Sequence, residues 1–413
     1  MSIRTTLRSR QSAFRILALC VALASTALLS GCGAFFHAVT TTTTTNSGTG
    51  YDLVYAGKNG SSTFVGYTMS STTGNLTAVS GSPYSIASVP LTMAITPANT
   101  YLYVGTAAGI YGYSIAAGGA LTALNSGSAL ATGLANSPAS LDISADGNFL
   151  AVLTNNYITS GTATIYIYQI ASSTGLLTSN GGSATVTIGT SALVHTVKFS
   201  PNEDLIVTAL GSAGTDVYSF NSSSGAISAL PVSTAPAPTG TASDNAAIFS
   251  YDGATLYIVR GSGASLLLAY PIAATTGTIT TTAGSTGSYT LGNSPSTITL
   301  NKSTASSPYL YVTNAGDGSI SGFKISSTSS VVLTALPKSP YSTLGTTPYS
   351  IGYDNTGTYM LTMNQTGSPD LLEYTIDTTS ATAGQLYVTA SVNTGLSISS
   401  GTVGPGITMV TTH

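Results

Sequence analysis

From Tyr51 onward, apolar and polar positions alternate with a period of two. Tyr101-Leu102-Tyr103-Val104, Ile165-Tyr166-Ile167-Tyr168 and Tyr309-Leu310-Tyr311-Val312 read as strands, because successive side chains of a strand point to opposite faces. No segment carries a sustained apolar stripe at the 3.6-residue helical spacing. Asp146-Gly147, Asp252-Gly253 and Asn355-Thr356-Gly357 fall between such runs, and these residue types accept the backbone of tight turns.

Superimposing the runs exposes a repeat of about fifty residues. Pro90, Pro138, Pro295, Pro348 and Pro405 each open a short strand whose sixth residue is apolar: Ile95, Ile143, Leu300, Tyr353 and Val410. Two further copies open without proline at Val194 and Asp244 and reach Phe199 and Phe249. After each opener come a turn, a second strand such as Tyr309 to Asn314, a third such as Ile320 to Ile325, and a fourth typified by Gly74-Asn75-Leu76-Thr77 and Gly119-Ala120-Leu121-Thr122. The expected fold is therefore all-β, a seven-bladed β-propeller of four-stranded antiparallel blades. The chain ends predict how the ring closes. The first unit, from Tyr51, lacks an opener, and the last opener, Pro405 to Thr411, lacks the strands that should follow it, so the C-terminal strand completes the N-terminal blade.

The first fifty residues follow a different pattern. Arg4, Arg8, Arg10 and Arg15 precede an apolar run from Ile16 to Leu29 that is shorter than the roughly 20 residues a membrane-spanning helix needs. Leu29-Ser30-Gly31-Cys32 closes that run and is similar to the bacterial lipobox, in which the cysteine is lipidated and becomes the mature N-terminus. The expected organisation is a lipoprotein signal over 1–31, a lipidated Cys32 with a threonine-rich tether over 32–50, and a propeller domain over 51–413. Thr40 to Thr45 and the following Asn46-Ser47-Gly48 have no face to bury, which suits a tether. This layout predicts an exported protein held to membrane lipid through Cys32. Gly33, rather than an aspartate after the cysteine, points to the outer membrane.

Composition removes several functions. Charged residues are 6% of the chain, and 10 Lys+Arg stand against 13 Asp+Glu for a net charge of −3; no basic field exists to hold a phosphate backbone, so nucleic acid is not an expected partner. Two cysteines and three histidines, scattered along the chain, form no metal-ligand pattern. No metal and no cofactor are expected.

Tyr311-Val312-Thr313-Asn314 spells the tetrapeptide of the YVTN propeller repeats. With Ser200-Pro201-Asn202-Glu203 and Gly81-Ser82-Pro83-Tyr84, the units over 51–411 resemble the seven-bladed lactonase family, which includes 6-phosphogluconolactonase and the carboxymuconate-lactonising enzymes. The resemblance implies chemistry by His, Glu and Arg side chains near a central channel. Val194-His195-Thr196-Val197-Lys198-Phe199-Ser200-Pro201, followed by Asp216, is similar to the family's histidine-bearing fourth unit. His195 is accordingly the candidate base. The next unit departs from the family: Ser243-Asp244-Asn245 stands where Pro-Arg-His is common, and Arg260-Gly261 where a glutamate usually closes the second strand.

Opening a lactone needs a base near a water and a donor for the developing oxyanion. His195 is the candidate base and Arg260 or Lys198 the candidate cation, while Lys198, Asp142 and Asn245 are candidate ligand contacts. Each has a structural alternative. His195 occupies the position of Leu91, Ala139, Asn245, Ser296, Tyr349 and Gly406 in the other units, Asp142 and Lys198 share a repeat position in adjacent units and so should pair between blades, and Arg260 has counterparts near Thr106 and Asn314. Asp146, Asp252, Asp317 and Asp354 read as turn residues, and the tyrosine pairs as packing between blades. The sequence reading thus places first a non-enzymatic envelope propeller that binds a small molecule, glycan or protein at its channel mouth or loops. A lactonase using His195 comes second, and an inert surface protein third.

Overall fold

The computed structural model describes residues 51–134, 136–156, 161–187, 194–301, 309–379, 381–399 and 407–412. The proposed signal, Cys32, the tether and Pro405 lie outside these residues. Seven antiparallel sheets make up the described chain, six with their four strands in sequence order and one with the C-terminal strand placed first, and three of the seven add a short extra strand to the third. The single 3₁₀ turn among the described residues is Asn125–Gly127.

The propeller closes as expected. Blade 1 consists of the C-terminal strand Ile407–Thr411 followed by Tyr51–Lys58, Thr63–Ser70 and Leu76–Ala78. Ile407–Thr411 pairs antiparallel with the start of the domain, Val54 opposite Thr411 and Lys58 opposite Ile407. Thr412 adds two hydrogen bonds to Leu53, accepting from its N–H at 2.8 Å and donating its own N–H to the Leu53 carbonyl at 3.0 Å. Blades 2 to 7 open with Pro90–Ile95, Pro138–Ile143, Thr196–Phe199, Ser243–Phe249, Pro295–Asn301 and Thr346–Tyr353. These first strands neighbour one another around the ring and with Ile407–Thr411 form its innermost layer. The fourth opener begins two residues later than Val194, leaving His195 just ahead of the strand, although its N–H still donates to the Ala209 carbonyl at 2.9 Å.

Burial explains the long apolar runs of the second strands. Tyr309–Asn314 is buried at every position, as expected for a strand covered on both faces by neighbouring blades. Apolar clusters accordingly span pairs of blades; one joins Ala151, Ile165 and Phe149 of blade 3 to Val197, Ile206 and Phe220 of blade 4. The free edges of the blade 3 and blade 4 inner strands are satisfied by side chains from the preceding blade. Thr92 accepts from Leu141 N–H at 3.2 Å, Ser140 from Val197 N–H at 3.2 Å, and Asp142 from Phe199 N–H at 2.8 Å, so blades 2, 3 and 4 are pinned together where an open edge would otherwise remain.

Candidate functional site

The register of the inner strands carries a regular irregularity at the position that His195 occupies in its blade. Pairing shifts between Pro90 and Thr92, Asp244 and Ala246, and Pro348 and Ser350, so Leu91, Asn245 and Tyr349 are bulged out of the ladder. A bulge redirects a side chain away from the regular alternation. Here it sits at the starts of first strands, which share one end of the propeller with the ends of second strands because the two run antiparallel.

Arg260 ends the second strand of blade 5 at that same end, opposite Asp244. Its Nε donates to Asp244 Oδ1 at 2.6 Å, and its Nη2 to Asp244 Oδ2 at 3.1 Å and to the Pro236 carbonyl at 2.6 Å. The Asp244 side chain is 0% exposed and that of Arg260 is 11% exposed. Thr215 Oγ1 also donates to Asp244 at 2.9 Å, and backbone bonds tie Asp244 to Gly211 of blade 4 in both directions. Asp244, which opens this blade in place of a proline, therefore anchors Arg260 at the end of the second strand. These bonds hold the guanidinium in a fixed orientation through Nε and Nη2, and Nη1 has no hydrogen-bond partner among the described residues.

His195 lies two residues ahead of Val197 and is linked through Ala209 to the strand that leads into Gly211, the residue bridged to Asp244. His195 as a whole residue is half-buried. Burial lowers its pKa to about 4, so the imidazole is neutral at ordinary pH. Asp216, in the third strand of the same blade, is held up by burial and accepts from Thr234 Oγ1 at 2.8 Å. Asn245 is committed to structure, its Nδ2 donating to the Pro295 carbonyl at 2.7 Å and its Oδ1 accepting from Ser243.

Lys198 and Asp142 form the expected ion pair between blades at 2.6 Å, with side chains 40% and 18% exposed. They lie farther along their first strands, toward the opposite end from His195. His195, Arg260 and Asn245 thus lie at the same strand ends of adjacent blades, whereas Lys198 and Asp142 lie farther along their strands. A cleft of about 380 Å³, lined by residues including Ser294, Asp317, Thr347 and Tyr349, opens at the His195 end between blades 6 and 7. Thr347 and Ser294, each preceding an opening proline, have φ of 56° and 50°, a left-handed backbone unusual for a β-branched or pre-proline residue. Sequence reading placed Asp317 in a turn, where its Oδ2 does accept from Asn293 N–H at 2.5 Å; nothing local signalled that this turn borders a cleft. A cleft of similar size at the other end lies between Tyr251 and Ser326–Ser330. No group of three or more His, Cys, Asp or Glu converges in metal-binding fashion among the described residues.

The family described as the seven-bladed β-propeller lactonases matches residues 39–399. The chain belongs to this family. Solved structures share its architecture at low identity. A protein from Lactobacillus plantarum is 19% identical with a TM-score of 0.65, covering 88% of this chain and 100% of its own. The periplasmic gluconolactonase of Pseudomonas aeruginosa is 18% identical with a TM-score of 0.64, covering 88% and 99%. A candidate 6-phosphogluconolactonase of Bacteroides fragilis is 14% identical with a TM-score of 0.65, again covering 88% and 99%. No curated protein matches the chain in sequence. Similarity at this level establishes the fold that the lactonase family shares, and the chemistry is argued from the side chains at the mouth.

Proposed function

We propose that this propeller is a lactone hydrolase acting at the mouth that carries His195 and Arg260. The observation that carries the reading is a neutral His195 just ahead of an inner strand, at the same end of the propeller as an arginine held in place by Asp244. In this scheme His195 accepts a proton from a water whose oxygen attacks the lactone carbonyl carbon, and Arg260 Nη1 donates to the resulting oxyanion. Collapse of the tetrahedral intermediate breaks the ring C–O bond. The departing oxygen takes the proton from the imidazolium, giving a hydroxy acid. A base whose pKa is about 4 is weak, which suits a strained, readily opened ester. Neutral aldonolactones are the first substrates to test, because both candidate cations are already neutralised by carboxylates and little positive charge is left for a phosphate.

The test is hydrolysis of aldono-, carboxy- and acyl-homoserine lactones by the purified protein beside His195→Ala. Loss of a positioned base lowers kcat by about 100-fold or more, and wild-type rate falls on acidification through about pH 4 as the imidazole is protonated. A folded protein with no turnover above the buffer rate on any of these lactones overturns the hydrolase reading. Ligand binding at the same mouth is the second reading, favoured by the engagement of Arg260 with Asp244 and Pro236. The envelope setting belongs to the proposal as well: lipidation of Cys32 tethers the domain to a membrane, and Cys32→Ser releases it to the soluble fraction.

A further inference from the structure

Tyrosine hydroxyls close several of the seams between blades. Tyr55, Tyr103 and Tyr311, each in the middle of a second strand, donate to the carbonyl of a turn glycine in the next blade, Gly119, Gly175 and Gly384, at 2.7, 2.8 and 2.7 Å. The cross-strand partner of each tyrosine on its third strand is also a glycine: Gly66, Gly112 and Gly322. A Cβ at Gly66 or Gly322 would stand 2.9 or 3.2 Å from a ring carbon of Tyr55 or Tyr311, so the missing side chain makes room for the ring.

Blade 7 reverses this pair. Leu361 takes the tyrosine position and Glu373 the glycine position opposite it. Glu373 is 0% exposed, and neither carboxyl oxygen has a hydrogen-bond partner. Its carboxyl packs against Gly74, the corresponding turn glycine of blade 1, so closely that a Cβ there would collide with Oε1. The acid reaches from the third strand to the same turn glycine that the tyrosine hydroxyl reaches from the second, without a hydrogen bond to it.

We infer that Glu373 is a protonated carboxylic acid standing in for the seam tyrosine, and that its ionisation weakens the junction between blades 7 and 1, making closure of the ring sensitive to alkaline pH. A buried, unpaired carboxylate is far costlier than a buried neutral acid, and the neutral acid retains one donor, as a tyrosine does. Burial first, and then the negative field of Asp354, push the Glu373 carboxyl up to about 8. On its own blade the ionisable groups around it are Asp354 and Tyr359. Elsewhere along the seam, in blade 1, Asp52 is raised to about 6 by burial and Asp354, and Tyr67 is raised by burial and Asp370. Lys58, the cation of this seam, is bound to Asp370 at 2.6 Å. The folded protein holds the Glu373 proton up to about pH 8, whereas the unfolded chain releases it near 4.5. Stability therefore falls as pH rises through that window, and the loss is complete above it.

The experiment compares thermal midpoints of wild type, Glu373→Gln and the double variant Leu361→Tyr/Glu373→Gly from pH 5 to 9.5. Glutamine keeps a donor and cannot ionise, so its midpoint gains about 5 °C relative to wild type between pH 5 and 9. The double variant restores the tyrosine–glycine pair and shows the same relative gain; should Glu373→Gln fail to fold, it decides alone. Amide-exchange protection, corrected for intrinsic rates, is expected to fall with pH in wild type over Ser70–Asn75 and Ile407–Thr411 and to hold in both variants. Parallel midpoint curves for wild type and the folded variants, or protection lost equally in every blade, overturn the inference.

Discussion

Arg260 and Lys198 each meet a carboxylate at 2.6 Å, yet their surroundings give the two pairs different weight. The 0% exposed Asp244 would be left as an unpaired buried charge in Arg260→Ala, an arrangement that costs about 3–5 kcal/mol. Lys198→Ala leaves Asp142 partly solvated and still accepting from Phe199 N–H, so its cost is about 1 kcal/mol or less. Urea denaturation of the two variants should separate them clearly, and equal losses would contradict the burial argument. His195 and Glu373 oppose one another in their pH dependence. The His195 pKa is depressed to about 4 from 6.5, so its contribution is full above pH 6.5 and is lost as pH falls through about 4. Glu373 acts in the other direction up to about pH 8, and between 6.5 and 8 it alone of these two sets the slope. Identities at single positions were legible in the sequence where a repeat could be compared, as with Asp142 and Lys198. Glu373 was not, because its meaning depends on Leu361 across the ladder and Gly74 in another blade.

At the level of elements, alternation and turn glycines were sufficient to define second, third and fourth strands, since both are local properties of the backbone. Gly175 shows how tightly the turns fit. Its φ is +68°, and a Cβ there would stand 2.5 Å from the Tyr101 ring, so Gly175→Ala combines left-handed strain with a steric clash and should cost about 2–3 kcal/mol. Gly133, with φ of +73° and nothing within 4 Å of its would-be Cβ, is the control: Gly133→Ala carries the backbone cost only, about 1 kcal/mol. A differential of less than a few tenths of a kcal/mol in chemical denaturation would show that the Tyr101 contact relaxes. The bulges on the first strands were not legible. Their periodicity differs little from that of a regular strand, and the shift appears only against a paired partner.

Closure governs the whole molecule. Removing Ile407–His413 strips the inner strand from blade 1, exposes the pairing edge from Val54 to Lys58 and deletes the Thr412 bonds to Leu53. The truncated protein is expected to melt more than about 10 °C lower or without a cooperative transition, by calorimetry. An unchanged midpoint would mean that the other six blades hold the ring without this strand.

By itself the sequence determined the all-β class, the seven units, their order of strands and the shared first blade, because those follow from period-two hydrophobicity and a repeat whose ends complement each other. The resemblance of its fourth unit to that of the lactonase family made His195 a candidate. Only the tertiary structure decided that Arg260 is locked to Asp244, that Lys198 lies toward the opposite end from His195, and that an acid replaces a tyrosine at the closing seam. Each of these depends on which strands become neighbours around the ring. Such juxtaposition is set by cross-strand register and blade packing between residues far apart in the chain, and no local pattern encodes it.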